Sequence, residues 1–155
     1  MSKECYSCGI EKPLTKFKYF RNKKYGRSNV CRSCEYTNYK AIIIKKYGQS
    51  YWDKCVFDNF KDRIRSRTRA AFRRIKENKP TKTENLLGCD WVVAKEHIET
   101  FFNDSLDWDN FNEWHIDHIV PLCSAKTIDE LTPLCKYTNL QPLLSRDNLI
   151  KGGRY

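Results

Sequence analysis

The 155-residue sequence predicts an α+β protein in three parts. Three observations predict it: two CxxC pairs near the N-terminus, a long cation-rich stretch with helical periodicity in the middle, and two extended runs followed by a short helix near the C-terminus. The parts are a small cysteine-rich module with its following helix over residues 1–48, a basic helical arm over 49–84, and a compact domain over 85–155.

The first part contains Cys5, Cys8, Cys31 and Cys34, with 22 residues between the pairs. Two thiolates separated by two residues face one ion from a tight knuckle, and Gly9 directly after Cys8 permits the turn that the knuckle needs. Two knuckles supply four sulfurs in a tetrahedron, which is a zinc-ribbon or treble-clef-like frame around a structural Zn²⁺. Four sulfurs close the coordination shell and leave no position for water or substrate. A hairpin turning near Tyr25-Gly26-Arg27-Ser28 fills the gap. A segment this small draws most of its folding free energy from the metal.

An even count of eight cysteines would also suit a disulfide framework in a secreted chain. The start, MSKECYSCG, has neither the basic flank nor the apolar stretch of a signal peptide, and no apolar run is long enough to span a bilayer. The expectation is a cytoplasmic, membrane-free protein whose thiols are reduced. Cys55, Cys89, Cys123 and Cys135 form no CxxC pair and are read as buried small hydrophobes rather than as a second metal site.

Tyr36, Tyr39, Ile43 and Tyr47 recur at helical steps from Glu35 to a stop at Gly48. Ser50 then opens a capping box with Asp53, and Phe57, Phe60, Ile64, Ala71 and Ile75 continue a helical stripe until Asn78 and Pro80. The other face carries Arg63, Arg67, Arg69, Arg73, Arg74 and Lys76, spaced to track a phosphate backbone. A third helix is capped by Asp90 and carries Val93, Ala94, Ile98, Phe101 and Phe102, with His97 as a packing or surface residue rather than a ligand.

The formal net charge of +10 is unevenly divided: +9 over residues 1–50, +6 over 51–86 and −5 over 87–155. This excludes an acidic binding protein and points to a polyanion gripped by the first half, most often nucleic acid. In the last part, His115-Ile116-Asp117-His118-Ile119-Val120-Pro121 alternates like a strand and ends in a proline that stops pairing. Asp117 and His118 therefore point to opposite sides unless the strand bends. A second extended run lies around Asn139-Leu140-Gln141-Pro142-Leu143, and Ser145 caps a final short helix bearing Asn148 and Lys151.

A histidine that titrates near neutrality takes a proton from water, while carboxylate and amide oxygens are hard ligands suited to Mg²⁺ or Mn²⁺. Beside a basic half, the natural substrate of such a set is a phosphodiester.

The succession HIDHIVPL, TNLQPL and DNLIKG resembles the HNH endonuclease family, the ββα-metal or His-Me finger nucleases. With LLGCDWVVAKEHIETFF upstream, residues 85–155 look like small phage-type members, some of which carry an N-terminal CxxC module. The resemblance implies a C-terminal ββα-metal (HNH) domain in which Asp117 is the metal-binding acid, His118 the general base, Asn139 the asparagine that holds the ββα loop, and Asn148 the last metal ligand in place of a histidine. His115, on the strand face of Asp117, contacts phosphate or metal-bound water, or else makes a structural hydrogen bond. Lys151, one turn after Asn148, reaches a phosphate or simply complements the helix C-terminus.

The implied activity is metal-dependent cleavage of double-stranded DNA, leaving 5′-phosphate and 3′-hydroxyl ends. A monomer would nick one strand, whereas a homodimer would cut both, and a phage origin would place the action in a bacterial host. The competing expectation is a zinc-ribbon DNA-binding regulator whose HNH fold is inactive.

Overall fold

Among the described residues six short strands pair two by two, and helices follow or separate them. The structure, a computed structural model, describes residues 1–22 and 26–154 and divides into two units, Met1–Trp52 and Asp53–Tyr155. It is a mixed α and β fold with small antiparallel sheets. No helix among the described residues is long and apolar enough to cross a membrane.

In the first unit, β1 (Ser2–Glu4) pairs with β2 (Glu11–Pro13), and β3 (Phe17–Tyr19) pairs with β4 (Arg27–Cys31). The turn between β1 and β2 is the expected knuckle. Gly9 has φ +66° and donates its N–H to the Cys5 carbonyl at 2.8 Å. Of the expected β3–β4 turn, Tyr25 lies outside the described residues. Gly26 adopts φ +61°, and a Cβ there would meet the Tyr19 ring at 2.8 Å, so glycine is required on both counts. Helix α1 (Arg32–Tyr47) starts directly after β4, three residues earlier than the periodicity suggests, and ends at Gly48 with φ +89°. It buries no residue fully. Its Tyr36 and Tyr39 rings pack edge-on against Trp52, at 5.6 and 6.2 Å.

Helix α2 (Gln49–Arg74) begins immediately after Gly48, so Ser50 lies inside it and does not cap it. From Asp53 onward the stretch belongs to the second unit, Asp53–Tyr155. The reason is apolar burial. Val56, Phe60, Ile64, Ala71 and Phe72 are buried at helical spacing, and the hydroxyl of buried Thr68 donates to the Ile64 carbonyl at 2.9 Å. The helix ends four residues before Asn78. Lys76 stands at φ +61°, the Glu77 N–H bonds the Phe72 carbonyl at 3.1 Å, and the Lys76 N–H bonds the Arg73 carbonyl at 3.1 Å. This is a Schellman ending with lysine where glycine is favoured.

Helices α3 (Thr83–Leu87) and α4 (Trp91–Glu99) follow. Asp90 occupies the cap position of α4 without a side-chain cap bond, and Trp91, Ala94 and Ile98 are its buried residues, whereas Val93 and Phe101 are exposed. His97 packs: its Nε2 meets the Leu140 carbonyl at 3.0 Å, and its ring lies edge-on to Phe101 and Tyr137, each at 5.3 Å. The stretch 103–113, rich in acidic and aromatic residues, forms a cluster in which the Trp108 ring meets Phe60, Phe102, Phe111 and Trp114.

Strand β5 (Trp114–His118) pairs antiparallel with β6 (Leu140–Leu144), and α6 (Ser145–Lys151) continues from β6. Between the strands lies α5 (Ile128–Leu134), absent from the sequence reading. Thr127 caps it through a bond from the Glu130 N–H at 3.3 Å, and Leu131 anchors it beside Ala71, Phe72, Leu86 and Leu122. Pro133 in its last turn disguised the helix, because proline reads as a breaker.

Replacing Lys76 with Gly should raise the unfolding free energy by about 1 kcal/mol, because the left-handed conformation carries a steric cost only for a residue with a Cβ. Urea denaturation of the two forms measures this, and an unchanged or lower midpoint would contradict the cap assignment.

Candidate active site and metal centre

In the first unit the four expected ligands converge. One potential ligand atom from each of Cys5, Cys8, Cys31 and Cys34 lies within 4.8 Å of the other three. Cys5 and Cys31 are buried with Phe17, and this trio is the unit's small core. Cys31 ends β4 and Cys34 sits in the first turn of α1, so a strand-to-helix junction presents the second pair. The Cys31 N–H points at the Cys5 sulfur at 3.3 Å and the Lys12 ammonium at the Cys31 sulfur at 3.4 Å, donors that suit thiolates. Four sulfurs at this separation match the tetrahedral shell of zinc, and the cluster can bind a zinc ion.

The other four cysteines do not share one environment. Cys135 is buried, as expected. Cys55 and Cys123 are exposed and Cys89 is half-buried, which corrects the reading of all four as buried hydrophobes. Cys55 sits on the solvent side of an amphipathic helix, and Cys123 faces the Gly153 carbonyl at 3.7 Å.

The second unit assembles the C-terminal motif. Register places Asp117 opposite Gln141 and His118 opposite Leu140. The Asn139 side chain ties down the connection after β5: Oδ1 accepts the Val120 N–H at 2.8 Å, while Nδ2 donates to the Val120 carbonyl at 3.0 Å and the Leu134 carbonyl at 2.8 Å. The Asn139 carbonyl accepts the Ile119 N–H at 2.8 Å.

Asp117 and His118 are both buried and line one cavity of about 280 Å³ with Arg67, Arg74, Pro121 and Leu122. They share it because His118 is the last residue of β5, where the strand gives way to the Asn139-bound loop. Gln141 Nε2 donates to Asp117 Oδ2 at 2.9 Å, and Lys151 Nζ to the same oxygen at 2.5 Å. Lys151 also donates to the carbonyls of His118 at 2.6 Å and Ile119 at 3.0 Å, so its donors are spent within the fold and not offered outward to a phosphate. On the neighbouring side of α6, Asn148 Nδ2 meets His115 Nδ1 at 2.8 Å, and Ser145 Oγ meets His115 Nε2 at 3.4 Å. His115 therefore hydrogen-bonds to α6, and Asp117 and Asn148 make no hydrogen bond to each other.

The electrostatics follow from burial. His118 is 5% exposed, and desolvation first, with the Arg67 guanidinium next, lowers its pKa to about 4. Its Nε2 is buried with no hydrogen-bond partner among the described residues. His115 is also shifted down, by burial and then by Arg67 and Arg63. Burial lowers the Arg67 pKa while the Asp117 carboxylate opposes the shift.

The six cations expected to share one face of α2 are distributed otherwise. Arg63 stacks on the Phe111 ring at 4.0 Å and reaches the Phe111 and Trp114 carbonyls. Arg67 lines the cavity, and Arg74 donates to the Leu122 carbonyl. Arg69, Arg73 and Lys76 are exposed, and Arg74 is exposed as well although its guanidinium turns back to the Leu122 carbonyl. The reason is the helical angle: 63, 67 and 74 fall in one row, and 69 and 73 in another. Sequence reasoning missed Arg67 as a cavity residue and Gln141 as a partner of Asp117. The β5–β6 register was the signal for Gln141.

No family model matches the chain. An uncharacterised protein of Acanthamoeba polyphaga mimivirus is 30% identical over 76 residues, covering 47% of this chain and 34% of that protein. Another from the same virus is 26% identical over an alignment of 188 positions, covering 96% of this chain and 83% of the relative. The chain thus spans about a third of the first relative's length. No solved structure matches.

Metal analysis of the purified protein should find about one zinc per chain, lost in Cys5→Ser and kept in Cys55→Ser/Cys123→Ser; retention by Cys5→Ser would overturn the cluster. A second test concerns His118. The unfolded state takes up a proton near the ordinary value of 6.5, the folded state only near 4. Stability from the neutral ring is therefore complete above about pH 6.5 and lost as pH falls toward 4, on the order of 3 kcal/mol. His118→Gln should flatten that part of the urea-midpoint profile, and matching profiles would exclude a buried neutral His118.

Proposed function

We propose that this chain is a metal-dependent endonuclease that hydrolyses phosphodiester bonds in double-stranded DNA, with the C-terminal ββα unit as its HNH-type catalytic centre. The observation that carries the reading is the orphaned Nε2 of His118, a neutral base buried beside a carboxylate and a guanidinium in a cavity. A buried nitrogen without a partner costs stability, and an attacking water would satisfy it.

His118 Nε2 takes the proton from that water. The neighbouring cations that depress its pKa favour an anion in the same cavity, and a bound phosphate returns negative charge beside the ring and raises its affinity for the proton. Arg67, facing Asp117 and His118, stabilises charge that builds on the phosphoryl oxygens. Asn139 holds the loop that carries His118, while Lys151 and Gln141 orient the Asp117 carboxylate.

Asp117 and Asn148 are the residues that would hold Mg²⁺ or Mn²⁺. The fit rests on donor chemistry: both hydrogen bonds of Asp117 go to Oδ2, which leaves Oδ1 for an ion, and Asn148 bonds through its nitrogen, which leaves its amide oxygen. Few protein ligands suit a hard ion that keeps most of its water. When bound, such an ion neutralises charge on the scissile group and the leaving oxygen. In this reading the cysteine cluster holds structural zinc, the first unit and the outward cations of α2 grip DNA, and the protein acts inside a cell.

The test is supercoiled plasmid with Mg²⁺ or Mn²⁺. Wild type should nick or linearise it, EDTA should stop the reaction, and His118→Ala should slow it at least about 100-fold. Mapped ends should carry 5′-phosphate and 3′-hydroxyl groups. Equal cleavage by wild type and His118→Ala would reject the catalytic assignment.

A further inference from the structure

On the other row of α2, Arg65 and Arg69 line a second cavity, of about 150 Å³, with Lys79, Lys82, Thr83, Glu84 and Trp91. Arg65 and Arg67 are two residues apart, roughly 200° around the helix, so this cavity and the one at His118 lie on different sides of the same element. Four cations converge here against one lining carboxylate. Arg65 pairs with Asp62 at 3.3 Å, and its guanidinium lies 5.0 Å from the centre of the Trp91 ring. Lys79 donates to the buried Thr83 hydroxyl at 3.0 Å. Arg69 and Lys82 are exposed, and their side chains make no hydrogen bond or ion pair among the described residues.

The positive charge is only partly compensated, by Asp62 and Glu84, and it is felt within the cluster. Burial lowers the Lys79 pKa, and Arg69 and Arg65 lower it further. Like charges gathered around a concave, indole-walled space repel one another until an anion enters. A planar guanidinium fork at Arg69 and point charges at Lys79 and Lys82 suit the spread oxygens of a phosphate group better than a single carboxylate.

We propose that Arg65, Arg69, Lys79 and Lys82 form a phosphate-binding site separate from the proposed catalytic cavity. It holds either one backbone phosphate of a polynucleotide or a free phosphate ion. Only the first source rests on the proposed nucleic-acid substrate, and neither needs the chain to cleave it.

The experiment uses the full chain carrying His118→Ala, so that binding is read without turnover. Calorimetric titration with inorganic phosphate in chloride buffer is the first arm, and the salt dependence of binding to a labelled DNA duplex is the second. Arg69→Gln/Lys82→Gln is compared with Lys126→Gln/Lys136→Gln, which removes two exposed cations outside the cavity. The charge-keeping pair Arg69→Lys/Lys82→Arg checks that the cavity still folds, and it should retain binding. The cavity pair should abolish phosphate binding, flatten the slope of log affinity against log salt by about 0.9 beyond the control pair, or both. Loss of phosphate binding with an unchanged duplex slope assigns the site to free phosphate, and a flattened slope assigns it to the backbone. If the cavity pair and the control pair behave alike in both arms, the site is refuted. A wild-type protein that fails to cut plasmid would reject the nuclease reading and leave this result standing.

Discussion

The register of Trp114–His118 against Leu140–Leu144 is the constraint on which the geometry around Asp117 and His118 depends. A two-stranded sheet is marginal alone, so this pair is held at both ends. Asn139 ties the connection leaving β5, and Lys151 reaches back from α6 to the Asp117 carboxylate and the two carbonyls beyond it. A slip of one residue would exchange the faces of His115 and Ile116 and send Asp117 away from Gln141 and Lys151. Because each tether crosses from one chain segment to another, the position of His118 is a property of the assembled strand–strand–helix unit and not of the HIDH string.

Charge in the second unit is used in two ways. Arg63, Arg67 and Arg74 spend theirs on an aromatic ring, backbone carbonyls and the surroundings of Asp117, whereas Arg69, Arg73 and Lys82 leave theirs in solvent. A guanidinium tolerates partial burial because its charge is delocalised and its fork can satisfy several acceptors. The inward row therefore depresses the proton affinity of His115 and His118, while the outward row remains free to meet a polyanion. Counting net charge treats the two rows as equal, though their energetic roles differ.

The first unit shows the opposite economy. Among the described residues its buried apolar side chains are the cluster of Cys5, Phe17 and Cys31 together with Trp52, and α1 buries nothing fully. So little apolar burial cannot offset the conformational entropy of fifty ordered residues, which is why the sulfur cluster matters for stability there. The Cys31 N–H and the Lys12 ammonium already point toward sulfur.

The sequence by itself determined the elements whose signals are local. The CxxC pairs with Gly9, the stop at Gly48, the apolar stripe of α2 and the order strand, strand, helix at the C-terminus all follow from spacing and turn chemistry within a few residues. It determined less where a decision required a distant partner. Ser50 reads as a cap until α2 is seen to start at Gln49, one residue earlier, Pro133 hides α5, and Cys55 and Cys123 look buried until their helix and loop faces are known. Only the tertiary structure decided that Arg67 faces His118, that Lys151 is consumed by Asp117 and two carbonyls, and that Asn148 meets His115. Those outcomes depend on burial and on contacts between segments 30 or more residues apart, and no periodicity in the chain encodes them.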